Sequence, residues 1–197
     1  MAYATSDQLR LWLRLPEPFT PDETATAELL LDLAQGVIDD ETGQSLESAT
    51  DTLVLDGPTR SDPHRTAPRS HRLILPRWPV TAVESVTVHG EDGQDQLLVY
   101  GPAADYTWSA DGILTRIGDT WPAHDRAVTA VVTAGFTVVP AGVTRINLRL
   151  AAAGWSNPEG LSAETLGDHS RSFSAEALGM ELTTADRRTL GAYRART

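Results

Sequence analysis

The residue types that could carry chemistry are few in this chain, and their spacing is poor. There are five His residues: His64, His71, His89, His124 and His169. His64 and His71 share an Arg- and Pro-rich stretch, but their spacing matches no zinc-ligand pattern, so they read as surface-loop residues. Asp168-His169-Ser170 places the three triad residue types side by side. Neighbouring residues cannot converge as a triad does, because its members come from different elements. No G-x-S-x-G elbow, no H-E-x-x-H pair, no G-x-G-x-x-G turn and no G-x-x-x-x-G-K-[ST] loop occurs. All 16 basic side chains are Arg, and there is no Cys. Schiff-base lysines, thiol nucleophiles, disulfides and thiolate metal sites are therefore excluded. The carboxylates Glu28, Asp32, Asp39, Asp40 and Glu41 lie close together, but not as an EF-hand loop and without a nearby His. They read as a solvated acidic face. The expectation is a protein that is not an enzyme and has no catalytic residue, no metal and no cofactor.

Charge narrows the class further. The 197 residues carry a net charge of −11, which argues against general nucleic-acid binding. The charge is uneven. Residues 1–56 hold 12 acids and 2 Arg, net −10, whereas residues 57–90 hold 2 acids and 5 Arg, net +3. Residues 91–144 are net −5 and residues 145–197 net +1. No signal peptide is read at the N-terminus, and no apolar run reaches the roughly 18 residues of a membrane helix. Length and composition suit one soluble domain spanning 1–197.

The elements that must position these residues alternate in kind. Helices are predicted over about 5–14, 21–42, 141–154 and 184–195. The first opens on a capping box of Thr5 and Gln8, and Pro16 and Pro18 end it. The second has Thr20 as N-cap, Pro21 at N1, Glu23 closing the box and Gly43 as the C′ residue. Leu29, Leu30, Leu33, Ala34, Val37 and Ile38 are read as its buried stripe. Between about 52 and 137, seven short strands are expected: Thr52–Asp56, Arg72–Leu75, Val83–His89, Leu97–Tyr100, Tyr106–Ser109, Ile113–Arg116 and Ala127–Phe136. Asp111-Gly112 marks a hairpin. Gly57 to Ser70 should be a mobile loop, and Glu159 to Ser174 irregular. The third helix carries Arg145 and Arg149, a like-charged i, i+4 pair. The fold class is α+β: a mainly helical core of about four helices with an inserted β-rich region of short antiparallel strands and long loops. The strands alone do not suggest an independent sandwich.

The order of elements and five short motifs add a resemblance. Ile38, Thr42 and Gly43 stand as an I-x-x-x-T-G helix end. Leu75-Pro76-Arg77-Trp78-Pro79-Val80 follows an L-P-x-x-P-V pattern. Thr133-Ala134-Gly135-Phe136 with Val139-Pro140 is close to T-A-G-Y…V-P. Asn157-Pro158-Glu159-Gly160 and Leu166-Gly167-Asp168-His169-Ser170 follow in order. In this sequence of motifs, from about residue 5 to 195, the chain resembles the head–tail connector (adaptor) proteins of tailed phages, a siphophage-type head completion family. It departs from them in a longer, Arg-rich Gly57 to Arg72 segment and in His169, where an aromatic residue is usual.

The resemblance implies a virion structural protein of the neck, assembled in the host cytoplasm. It implies a homo-oligomeric ring, most often a dodecamer, under the portal protein and above a stopper or tail-completion protein. Genomic DNA would pass through without specific binding. Carried to this chain, portal-contact candidates are Arg187, Arg188, Tyr193, Arg194 and Arg196. Channel-lining candidates are Glu28, Asp32, Asp39 and Asp40, because an acidic wall keeps DNA sliding. Docking-loop candidates are Arg60, Arg65 and Arg69. The alternatives are a stopper or tail-terminator type joining protein, and a small-molecule-binding or enzymatic α+β domain.

Overall fold

The computed structural model describes residues 3–58, 71–156, 163–166, 169–172 and 180–196, and for 163–166 and 169–172 the backbone only. The expected docking-loop residues Arg60, Arg65 and Arg69 lie outside the described residues, as do most of the Gly57 to Ser70 stretch, the N-P-E-G motif and Asp168. The contacts divide the chain into two compact units, residues 1–44 with 138–194, and residues 45–137 with 195–197. The fold is α+β.

The first unit is built on four helices: α1 (Ser6–Trp12), α2 (Pro21–Thr42), α3 (Ala141–Ser156) and α4 (Thr184–Leu190), followed by a 3₁₀ turn at Gly191–Tyr193. Each of α1, α2 and α4 begins with a complete capping box, from Thr5 and Gln8, Thr20 and Glu23, and Thr183 and Asp186. Such a box satisfies two otherwise orphaned backbone donors at each start. Gly43 ends α2 at φ 70°, in the left-handed region that a side chain adopts only at a cost. The helices bury Leu9, Leu31, Ile38, Val143, Ile146 and Leu150. Asn147 is also fully buried, and its Nδ2 donates to the Leu31 carbonyl at 3.1 Å, pinning α3 to the middle of α2. Gly154 permits the close approach of the same two helices. A Cβ there would sit 2.9 Å from Leu30 Cδ2.

The stripe expected on α2 is turned by about a quarter of the helix circumference. The buried residues are Ala27, Leu31, Ala34, Ile38 and Thr42. Leu29 and Leu33, expected in the core, are 59% and 52% exposed. Leucines at 29, 30, 31 and 33 can be fitted to more than one face at about 100° per residue. The face that is buried is the one bearing the small residues Ala27 and Ala34, where a neighbouring helix can approach most closely. Where irregular chain was expected between 159 and 174, an antiparallel hairpin forms instead from β8 (Ala163–Leu166) and β9 (His169–Ser172). Four residues on each side are paired, from Ala163 with Ser172 to Leu166 with His169, a regularity that the Ser- and Gly-rich composition did not display.

Seven strands are formed by the described residues of the second unit. β1 (Ala49–Leu55), β7 (Val128–Ala134), β3 (Val80–His89) and β4 (Asp95–Leu97) form a four-stranded antiparallel sheet in that order. β2 (Arg72–Ile74), β6 (Ile113–Arg116) and β5 (Tyr106–Ser109) form a three-stranded sheet. Strict alternation in β7 buries Val128, Ala130, Val132 and Ala134. These join Leu73, Leu75, Val86, Tyr106, Leu114 and Trp121 from the other elements in one core. The strands thus close on a core of their own, which the short, Pro-edged runs did not suggest. Asp111-Gly112 makes the expected hairpin between β5 and β6, with Gly112 at φ 78°.

Candidate functional site

Two of the five C-terminal candidates converge on one acid that the sequence reading had placed elsewhere. Arg187 Nη1 donates to Glu41 Oε2 at 2.5 Å, and Arg194 Nη2 donates to Glu41 Oε1. The Glu41 side chain is only 8% exposed. The Arg194 hydrogen bond, followed by the charge of Arg187, holds its carboxyl below the usual carboxylate range despite the opposing effect of desolvation. Gln44 Nε2 donates to the Tyr193 carbonyl at 2.8 Å. The end of α2 therefore grips α4 and the turn after it. Arg187 also lines a shallow groove of about 500 Å³ with Val37, Asp40, Glu41, Met180, Glu181 and Leu182.

A second clasp lies at the start of α4. Asp186 is 2% exposed. Its Oδ2 accepts from Thr183 Oγ1 at 2.7 Å, from Thr183 N at 3.1 Å and from Arg149 Nη2 at 2.7 Å. Arg145 Nη2 stands 3.9 Å away. Burial alone would raise the pKa of Asp186, but the Thr183 bonds and then the two Arg charges outweigh it and leave it lowered. The like-charged pair on α3 is thus reconciled by one buried acid between its members.

The remaining candidates separate. Arg188 is exposed and makes no bond to another described side chain. Arg196 belongs to the second unit. Its Nη2 donates to Asp111 Oδ1 at 3.3 Å, and its guanidinium lies 5.6 Å from the Trp78 ring centroid. On α2, Glu28, Asp32 and Asp40 are exposed. Asp39 is half-buried and accepts from the Tyr3 hydroxyl, so it is committed to the chain's own packing. At about 100° per residue, Glu28, Asp32 and Asp39 share a side while Asp40 projects to another.

The motif residues sit where the backbone is most constrained. Gly135 has φ 108°, and a Cβ there would lie 2.3 Å from the Glu47 carbonyl oxygen. Trp78-Pro79 is a cis peptide. Arg77, the residue before that peptide, pairs with Asp51 and donates through Nη2 to the carbonyls of Glu47 at 2.7 Å, Ser45 at 3.2 Å and Ala134 at 3.3 Å. One guanidinium thereby ties the lead-in of β1 to the end of β7. The sequence reading quoted Arg77 but gave it no role, because its partners are backbone carbonyls that no pattern displays.

The His residues are dispersed. His71 Nδ1 lies 2.6 Å from the Asp119 carbonyl, while His89 contacts Asp95 at 2.7 Å and Thr129 at 2.8 Å. Among the described residues, no group of three or more His, Asp or Glu could hold a metal ion. Among them also, no helix is long and apolar enough to cross a membrane.

No family model matches the sequence, and no curated protein matches it significantly. Solved structures do match. A chain in the neck of an empty GTA particle, computed with C6 symmetry, aligns with 99% of this chain and 91% of its own length, at 20% identity and a TM-score of 0.56. A chain in the neck of the native GTA particle, computed with C12 symmetry, aligns over 97% and 88%, at 17% identity and a TM-score of 0.54. A chain in the virion of the native gene transfer agent aligns over 99% and 91%, at 17% identity and a TM-score of 0.55. The chain shares the fold of these particle subunits. The match spans both compact units, so it covers the helical part and the β-rich part alike.

Proposed function

We propose that this chain is a structural subunit of a phage-like head–tail neck. It works as an adaptor: copies assemble into a ring under the portal protein, receive a stopper or tail-completion protein below, and let genomic DNA pass. The observation that carries this reading is the near end-to-end fold match to chains of the gene transfer agent neck, in particles with C6 and C12 symmetry. The five motifs in connector order support it independently of that fold.

The acidic end-to-end bias gives the ring a physical role. Exposed Glu28 presents negative charge that repels phosphates, and a conduit so lined does not trap its cargo. Portal contact falls to the exposed cation Arg188, because Arg187 and Arg194 are already engaged with Glu41. Heads lacking this chain should fill with DNA yet carry no tails, and adding purified chain should restore tail joining. Arg188→Glu should weaken attachment to portal-bearing heads without unfolding the protein. Normal tailed particles in the absence of the chain would overturn the reading.

A further inference from the structure

The helical unit carries two outward apolar patches that its own packing does not explain. One is on α2. Leu29 and Leu33 are 59% and 52% exposed, and they lie about 180° around the helix from the buried Leu31 and Ile38 face. Asp32 stands beside them, exposed, with a carboxylate that bonds to no other described side chain. The other patch is at the end of α1. Leu9 points inward at 0% exposure, leaving Leu11 and Trp12 outward at 60% and 46%. Arg14 follows them, exposed, with a guanidinium that bonds to nothing described. Its backbone is at φ 58°, where glycine would be the unstrained choice. That conformation is how α1 ends: Leu15 N donates to the Arg10 carbonyl at 3.2 Å and Arg14 N to the Leu11 carbonyl at 3.1 Å. The turn leaves the Arg14 cation exposed and unpaired beside the exposed Trp12, and Arg and Trp are the residue types enriched in contacts.

The two patches complement each other. Each offers two large apolar side chains, one flanked by a free acid and the other by a free base. Two different patches that fit each other make a heterologous contact, which propagates head to tail and closes when the rotation permits. We infer that Leu11, Trp12 and Arg14 of one copy dock on Leu29, Leu33 and Asp32 of the next. This rests on the reading of the chain as a ring subunit and names the contact between its copies. The patch is small against the roughly 800 Å² per partner of a stable pair, so it is a weak contact between free copies that ring closure reinforces. Aromatic and aliphatic groups at its centre, with one ion pair at its rim, fit that balance.

The chain has no Cys, so paired cysteines report the contact cleanly. Concentrated protein carrying both Trp12→Cys and Leu33→Cys should give a ladder of disulfide-linked multimers under mild oxidation. The single variants mixed with each other should stop at a covalent dimer. Each single variant alone should cross-link no more than a control with Cys at exposed Val138. Dimers from Leu33→Cys alone would show a two-fold contact and overturn the inference, as would a double variant that matches the control. A charge swap gives a second reading: Arg14→Asp should suppress the ladder and Arg14→Asp with Asp32→Arg should restore it. Failure of the ladder in a chain that imaging still places in the neck would refute this contact alone. A ladder from a chain absent from the neck would refute the neck reading alone.

Discussion

Replacing Asp186 tests how the last helix is held. The side chain is 2% exposed, completes the α4 capping box and is bonded to Arg149 at 2.7 Å. Breaking a buried ion pair by removing one partner costs about 3–5 kcal/mol when the surviving charge stays buried. Here the survivors reach water, since the Arg149 and Arg145 side chains are 25% and 53% exposed. The expected cost of Asp186→Asn is therefore about 2 kcal/mol. The amide oxygen still accepts from Thr183, so Asp186→Ala should cost about 1 kcal/mol more through loss of the cap. The pH dependence has a definite sign. The Asp186 pKa is lowered in the folded chain, so its contribution is complete above the unfolded value of about 3.9 and is lost as pH falls through the folded value. The gap between wild type and Asp186→Asn should be full at pH 7 and should narrow toward pH 3. Urea unfolding followed by Trp fluorescence and far-UV circular dichroism across this range measures it. A variant within 0.5 kcal/mol of wild type at pH 7 (about a quarter of the expected cost), or a gap that does not narrow in acid, would refute the reasoning.

Other outcomes follow from the same geometry. Leu31→Ala should cost about 2–5 kcal/mol, while Leu29→Ala and Leu33→Ala should each stay within about 0.5 kcal/mol in the same denaturation assay. Gly135→Ala should destabilise the β-rich unit by at least about 2 kcal/mol, seen as a lower midpoint or loss of soluble protein, because its Cβ would collide with the Glu47 carbonyl. Arg77→Lys should cost about 2 kcal/mol, because a single ammonium cannot reproduce the fork that reaches three carbonyls and Asp51. Glu41→Gln should speed amide hydrogen exchange in 184–193, since it removes the shared acceptor charge of Arg187 and Arg194.

What could be read from the sequence was local. The helix starts at Ser6 and Pro21 follow from capping boxes, which are chemistry between residues three apart, whereas the box of Thr183 and Asp186 at the start of α4 appears only in the structure. The Asp111-Gly112 hairpin and the Gly43 helix end are equally local. The face that α2 buries was not legible, because four leucines within five positions fit several stripes and only partner helices choose among them. The first helix and the last run shorter than expected, ending at Trp12 and Leu190, and the last turn tightens to 3₁₀. The strand limits shifted for a similar reason: β1 begins at Ala49 and β3 at Val80, where pairing with β7 sets the bounds. The clasps were hidden because they join residues far apart in sequence, such as Glu41 with Arg194 and Asp186 with Arg149. The motifs that carried the family resemblance were legible as patterns. Their physical reasons, a close approach at Gly135 and a carbonyl clasp at Arg77, emerge only in three dimensions.

Electron cryomicroscopy of tailed particles containing this chain tests the central claim most directly. The account predicts a closed ring of copies at the head–tail junction, below the portal, with the density of both compact units in every copy. Particles in which that junction is built without the chain, or in which the chain lies elsewhere, would contradict it.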